Sequence, residues 1–128
     1  MAKAEPDEFI EHLLDQLRPW GPVLAKRMFG GYGLFRGSLM FALVSDDTLY
    51  FRTDDENRPD FEEAGMPPFR YRRKEQLVAL AYHEVPADLL EDREKLALWA
   101  GNAFAAASRR QEARAKSKPK SKPLKRKG

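Results

Sequence analysis

Cysteine is absent from the 128 residues. That removes disulfides, thiolate metal sites and cysteine nucleophiles, and it leaves the compartment undecided on redox grounds. Histidine occurs only twice, at His12 and His83. A zinc site needs three or four ligands, so two distant histidines without cysteine make no metal pattern, and no cofactor is expected. No stretch approaches the ~18 apolar residues of a membrane span. The opening Met1-Ala2-Lys3-Ala4-Glu5-Pro6-Asp7 has no apolar run behind a basic start, so no signal peptide is expected and the default location is cytoplasmic. A G-x-S-x-G elbow is also missing, and no serine or threonine stands near a histidine in a triad pattern. No catalytic residues are predicted.

What is present is a packed globule with an uneven charge. Hydrophobic residues make up 42% of the chain, aromatics 11% and charged residues 34%, enough for one core and strongly solvated elsewhere. The net charge of +3 conceals a division. Of the 23 Lys/Arg residues, ten lie from Arg109 onward; of the 20 Asp/Glu residues, only Glu112 does. Residues 109–128 therefore carry +9 and residues 1–108 carry −6. An acidic body repels phosphate backbones, so general affinity for nucleic acid should come from the basic end. Its candidate contacts are Arg109, Arg110, Arg114, Lys116, Lys118, Lys120, Lys122, Lys125, Arg126 and Lys127. A solubilising extension without a dedicated partner explains the same composition.

Periodicity divides the rest. Phe9, Ile10, Leu13, Leu14 and Leu17 fall at helical spacing behind Pro6 and stop before Pro19, which predicts an amphipathic first helix. From Val23 to Arg52 the period changes to two. Leu39, Phe41 and Leu43 would face one side of a strand and Met40, Ala42 and Val44 the other, and apolarity on both sides suggests a central strand. Turns are expected at Arg36-Gly37-Ser38 and Ser45-Asp46-Asp47, giving three or four antiparallel strands. A short helix starting at Asn57 places Pro59 in its first turn and directs Phe61 and Ala64 to the core, with Gly65 as its left-handed end. Gln76–Val85 reads as another strand. A last helix from about Asp92 to Arg110 buries Leu96, Trp99, Ala103 and Ala106. From Lys116 the alternation of lysine with Ser or Pro cannot bury enough apolar surface to order itself. The expected layout is a folded domain over 1–110 and a disordered Lys-rich tail over 111–128.

Two stretches draw attention. Met28-Phe29-Gly30-Gly31-Tyr32-Gly33 has three glycines in four positions, but neither phosphate-loop spacing nor a strand-to-helix setting fits it. A bulge or tight corner is the simpler reading. Gly65-Met66-Pro67-Pro68-Phe69 reads either as a docking surface or as a stiff link between helix and strand. Paired carboxylates such as Asp46-Asp47, Asp54-Asp55-Glu56 and Glu91-Asp92 fall at predicted turns and helix starts, where they cap backbone N–H groups.

Taken in order, Met28 to Gly33, Met40-Phe41-Ala42-Leu43, Asp46 to Arg52, Asp55-Glu56-Asn57-Arg58 and Gly65 to Phe69 resemble the N-terminal domain of the TfoX/Sxy family of competence regulators. The resemblance covers roughly residues 8–108, without the second, helical domain that follows in those regulators. It implies an α+β fold: a curved antiparallel sheet of about five strands packed with N- and C-terminal helices, similar to secretion-chaperone-like folds. It also implies a non-enzymatic regulatory or adaptor module, with an unknown protein partner of which a transcription factor is one class. The expected interaction surface is Phe29, Gly30, Gly31, Tyr32, Met66, Pro67, Pro68 and Phe69. Two other functions fit the residues. One is a small-ligand-binding domain or enzyme using the glycine-rich corner; the other is a structural homo-oligomer, leaving monomer or homodimer open.

Overall fold

The computed structural model describes residues 5–28, 31–73 and 76–121, with side chains except at 5–7, 71–73, 76–79 and 116–121. Helix α1, Glu5–Leu17, begins with Pro6 in its first turn and buries Ile10, Leu13 and Leu17. Four strands follow: β1 (Leu24–Met28), β2 (Gly31–Arg36), β3 (Leu39–Ser45) and β4 (Thr48–Arg52). Helix α2, Arg58–Glu63, is short. Strands β5 (Pro68–Arg73) and β6 (Gln76–Glu84) precede a single 3-10 turn over Ala87–Glu91 and the long helix α3, Arg93–Ser121.

The six strands form one antiparallel sheet in the order β1-β2-β3-β4-β6-β5. Its register sorts side chains into rows, because residues directly opposite one another share a face. Leu34, Ala42, Phe51 and His83 make one row across four strands; all are buried and face the helices. Gly33, Leu43, Tyr50 and Glu84 make the adjacent row on the opposite face.

Several expectations are corrected in detail. The register shifts between Leu34 and Phe35, so Phe41 is an extra residue on β3, and Phe41 and Ala42 are both buried. Strict alternation therefore fails: Leu43 shares its face with Met40, not with Phe41. Asn57 caps α2 and Pro59 sits in its first turn as expected, and Gly65 is left-handed at φ 75°. Phe61 is buried, but Ala64, at the C-cap, is exposed. Pro68 opens an edge strand instead of a plain link, which an N–H-less residue can do at a strand start. The sheet thus has six strands, one more than expected.

The last helix does not stop near Arg110. Gln111-Glu112-Ala113-Arg114-Ala115 are strong helix formers, and α3 continues across the expected 110/111 boundary to Ser121. The disorder expected over 122–128 lies outside the described residues.

The core fills the space between the sheet and the helices. Phe41, Phe51, Phe61, Leu13, Leu17, Leu34, Leu49 and Leu96 are its largest fully buried side chains. Ala100, Ala103, Ala106 and Ala107 are buried along α3, and their small side chains let the helix lie close to β3 and β4. Trp20 packs edge-on against Phe41 at 5.0 Å and Phe104 at 6.0 Å, with the Arg36 guanidinium 4.4 Å from its ring centroid. Buried Gln16 donates to the Leu90 carbonyl (2.7 Å) and accepts from Arg93 (2.9 Å), tying α1 to the 3-10 turn and to α3. Among the described residues, no helix is long and apolar enough to cross a membrane.

Candidate functional site

The sheet face turned away from α1 and α2 holds a cavity of about 400 Å³. Every described residue lining it belongs to a strand: Met28 of β1, Gly31 and Tyr32 of β2, Met40, Leu43, Val44 and Ser45 of β3, Phe69 of β5 and Leu80 of β6. Strands β1 and β5 are the two edges of the sheet. In a flat sheet of this order they would stand roughly 24 Å apart, five spacings of about 4.8 Å. One cavity reaching both edges requires a strongly curved sheet, concave on this side.

Two glycines shape the floor. A Cβ on Gly31 would lie 2.0 Å from the Val44 carbonyl oxygen, a contact with backbone that cannot yield. At Gly33 a Cβ would meet the sulfurs of Met28 and Met40 at 2.7 and 2.9 Å. The bare backbone at Gly33 is what allows the two thioethers to settle there, and methionine's unbranched chain adapts to irregular apolar partners. The glycine-rich corner is therefore a packing device, as its spacing suggested. Tyr50 stacks edge-on against Phe69 at 4.8 Å. Burial, then the nearby Glu84 and Asp46 carboxylates, push the Tyr50 hydroxyl above its ordinary pKa, so it stays neutral.

Of the cations on the edge strands, Lys26 pairs with Gly33 in the concave row, whereas Arg27 pairs with Tyr32 and Arg70 with Ala79, in rows of the opposite face. Lys26 and Arg27 are exposed on β1, with their charges 5.1 Å from the Phe35 ring and 5.4 Å from the Tyr32 ring. Arg70 is exposed on β5 beside Phe69. The hollow can bury apolar side chains, with Lys26 on its side of the sheet.

Of the expected interaction surface, Gly31, Tyr32 and Phe69 come together in the cavity lining. Met66 packs against the core instead. Pro67 is exposed and its carbonyl accepts the Glu84 N–H at 3.0 Å, while Pro68 pairs with His83. Phe29 and Gly30 lie outside the described residues. Sequence reasoning missed Met28, Met40, Leu43, Val44, Ser45 and Leu80 as lining residues. The signal available for Met40 and Val44 was the apolar second side of β3.

The basic residues separate as well. Arg109 is held internally, donating to both oxygens of Asp54 (2.6 and 3.0 Å) and reaching Glu56 at 3.4 Å. Arg110 and Arg114 line a second cleft beside Arg52 and Tyr82. Lys116, Lys118 and Lys120 lie in α3, and Lys122, Lys125, Arg126 and Lys127 lie outside the described residues. His12 stands 3.4 Å from Glu91, and His83 Nδ1 is 3.1 Å from the Thr53 hydroxyl, buried under Phe61.

A model of the TfoX N-terminal domain matches residues 15–107. The chain belongs to the TfoX N-terminal domain family. The DNA transformation protein TfoX1 of Aliivibrio fischeri is 34% identical over 87 residues, covering 62% of this chain and 42% of that relative. The chain thus matches less than half the length of that relative. The TfoX N-terminal match takes in every residue of the cavity lining and ends within α3, ahead of Arg109, Arg110 and Arg114.

Proposed function

We propose that this chain is a non-catalytic regulatory module in the control of DNA uptake, working in the cytoplasm by docking a protein partner on its concave sheet face. The observation that carries the reading is the apolar cavity built by both edge strands and floored by Met28 and Met40. Its occupant is a segment of a transcription activator that presents a bulky apolar side chain beside a carboxylate. Exposed Lys26, in the concave row opposite Gly33, complements such a segment, and charge pairing beside an apolar centre sets register and on-rate. Membership of the TfoX N-terminal family and similarity to a DNA transformation protein support the physiological setting.

The test is induction of DNA-uptake genes by the full chain in a host lacking its own regulator of this type. Leu80 is 38% exposed on the cavity wall, so Leu80→Lys should leave melting unchanged and lower induction about tenfold or more, as loss of a central apolar contact does. Unchanged induction by that variant would remove the sheet face from the mechanism.

The basic C-terminal residues add non-specific attraction to nucleic acid. The log affinity for duplex DNA is then expected to fall with log salt by about 0.9 per phosphate contacted. Salt-independent binding would rule this out.

A cavity of about 400 Å³ also lies within the ~300–1,000 Å³ range of small-molecule sites. A small apolar ligand is the second reading, and it predicts a molecule that co-purifies with the protein and is displaced in Leu80→Lys.

A further inference from the structure

Where the C-terminal part of α3 passes the start of β3 and the end of β4, two adjoining clefts share Arg52, Tyr82, Arg110 and Arg114 in their lining. The local chain is tightly fixed there. Asn57 Nδ2 donates to the Arg52 carbonyl at 2.9 Å, and its Oδ1 accepts the Asp54 N–H at 2.7 Å. Arg52 lies opposite Tyr82 in the register, and its guanidinium stacks 5.3 Å from the ring centroid. The Nε of Arg52 is buried and has no hydrogen-bond partner among the described residues. A buried guanidinium N–H left without an acceptor carries an uncompensated desolvation cost, and such a group calls for an explanation.

Arginines outnumber acids among the described residues around it. In the first cleft the two acids are already engaged, Asp54 by Arg109 and Asp55 by Arg58. The second cleft, about 450 Å³, has no carboxylate among its described lining residues. Arg110 and Arg114 are one helical turn apart, a like-charge spacing that disfavours the helix slightly, and both stand beside Arg52. Leu39, Met40 and Ala107 supply an apolar wall to the same cleft.

We propose that this cleft binds a small phosphorylated ligand of nucleotide size, its phosphates on Arg52, Arg110 and Arg114 and its ring against Leu39 and Met40. Guanidinium forks match phosphate oxygens in bidentate geometry, and a phosphate oxygen supplies the acceptor that Arg52 Nε lacks. The volume lies within the ~300–1,000 Å³ range of small-molecule sites. The cleft adjoins the docking cavity through Met40, which lines both, but its phosphate-binding arginines lie outside that cavity, so the ligand does not depend on the partner proposed above.

Isothermal titration of the full chain with pyrophosphate and with ATP tests it. The expected result is saturable one-to-one binding of both, with ATP about tenfold tighter. Affinity should drop at least about tenfold in the Arg110→Gln/Arg114→Gln double variant and in Arg52→Lys, which keeps the charge but loses Nε. The triple variant Lys118→Gln/Lys120→Gln/Lys122→Gln should bind as the parent does. Absence of saturable binding by either compound would overturn the proposal. So would binding that survives the arginine changes but is lost in the lysine variant, since that is tail electrostatics alone. Pyrophosphate binding as tight as ATP would overturn the nucleotide-sized ligand.

Discussion

Gly31 and Gly33 stand two residues apart on one strand and make opposite demands. The Cβ of an alanine at 31 would meet the Val44 carbonyl at 2.0 Å, whereas at 33 it would meet only the ends of Met28, Met40 and Phe35. Gly31→Ala must therefore shift β2 against β3, and a loss of about 1–3 kcal/mol is expected, the range of overpacking with backbone movement. Gly33→Ala should cost less, because flexible side chains give way, yet it should displace the methionines from the cavity floor. Urea denaturation of both variants checks the order, and equal losses would contradict this picture of the corner. The glycine motif announced that side chains would obstruct something. It did not announce which of its glycines meets backbone, because that depends on a neighbouring strand's carbonyl.

Element boundaries divide by the kind of signal that sets them. The start of α2 at Asn57, its end at Gly65 and the turns at Gly37 and Asp46-Asp47 were legible, because local stereochemistry decides them. The bulge at Phe41 was not, since an extra residue is defined only against a partner strand. Nor was β5, whose Pro68 reads as a breaker until it is placed at a sheet edge. The contact between β4 and β6 carries a pH dependence. Burial holds the His83 imidazole below its ordinary value of 6.5, with Arg58 and Arg70 opposing the effect of Glu62. The unfolded chain therefore takes up that proton more readily than the folded one, so stability rises with pH across the window. Stability should be full above about pH 6.5, decline as the pH falls below it, and level off once the folded imidazole is protonated. A second decline is expected in stronger acid. The hydrogen bonds from Arg109 hold the Asp54 carboxyl below 3.8, and its contribution, present above that value, is lost as pH falls through the folded-state pKa. Urea midpoints across this range check both steps, and His83→Gln should abolish only the first.

At the scale of the whole molecule, the curved sheet gives two faces different tasks. One face, the row Leu34, Ala42, Phe51 and His83, is closed by helices and supports the fold. The other gathers both edge strands around an apolar hollow. Both-sided apolarity of β3 was visible in the sequence, but it was compatible with a sheet covered on both faces. The convergence of β1 with β5 could not be seen, because it arises from curvature summed over six strands. Incorporating a photo-crosslinking amino acid in cells at position 80, on the hollow's wall, and separately at position 98, where α3 leaves Leu98 62% exposed, separates the two faces. The expected result is one discrete adduct with a different protein from position 80, lost when Leu43→Lys is added, and none from position 98. An adduct of two copies of this chain, or a partner captured from position 98 and not from position 80, would contradict docking of a protein partner on the concave face.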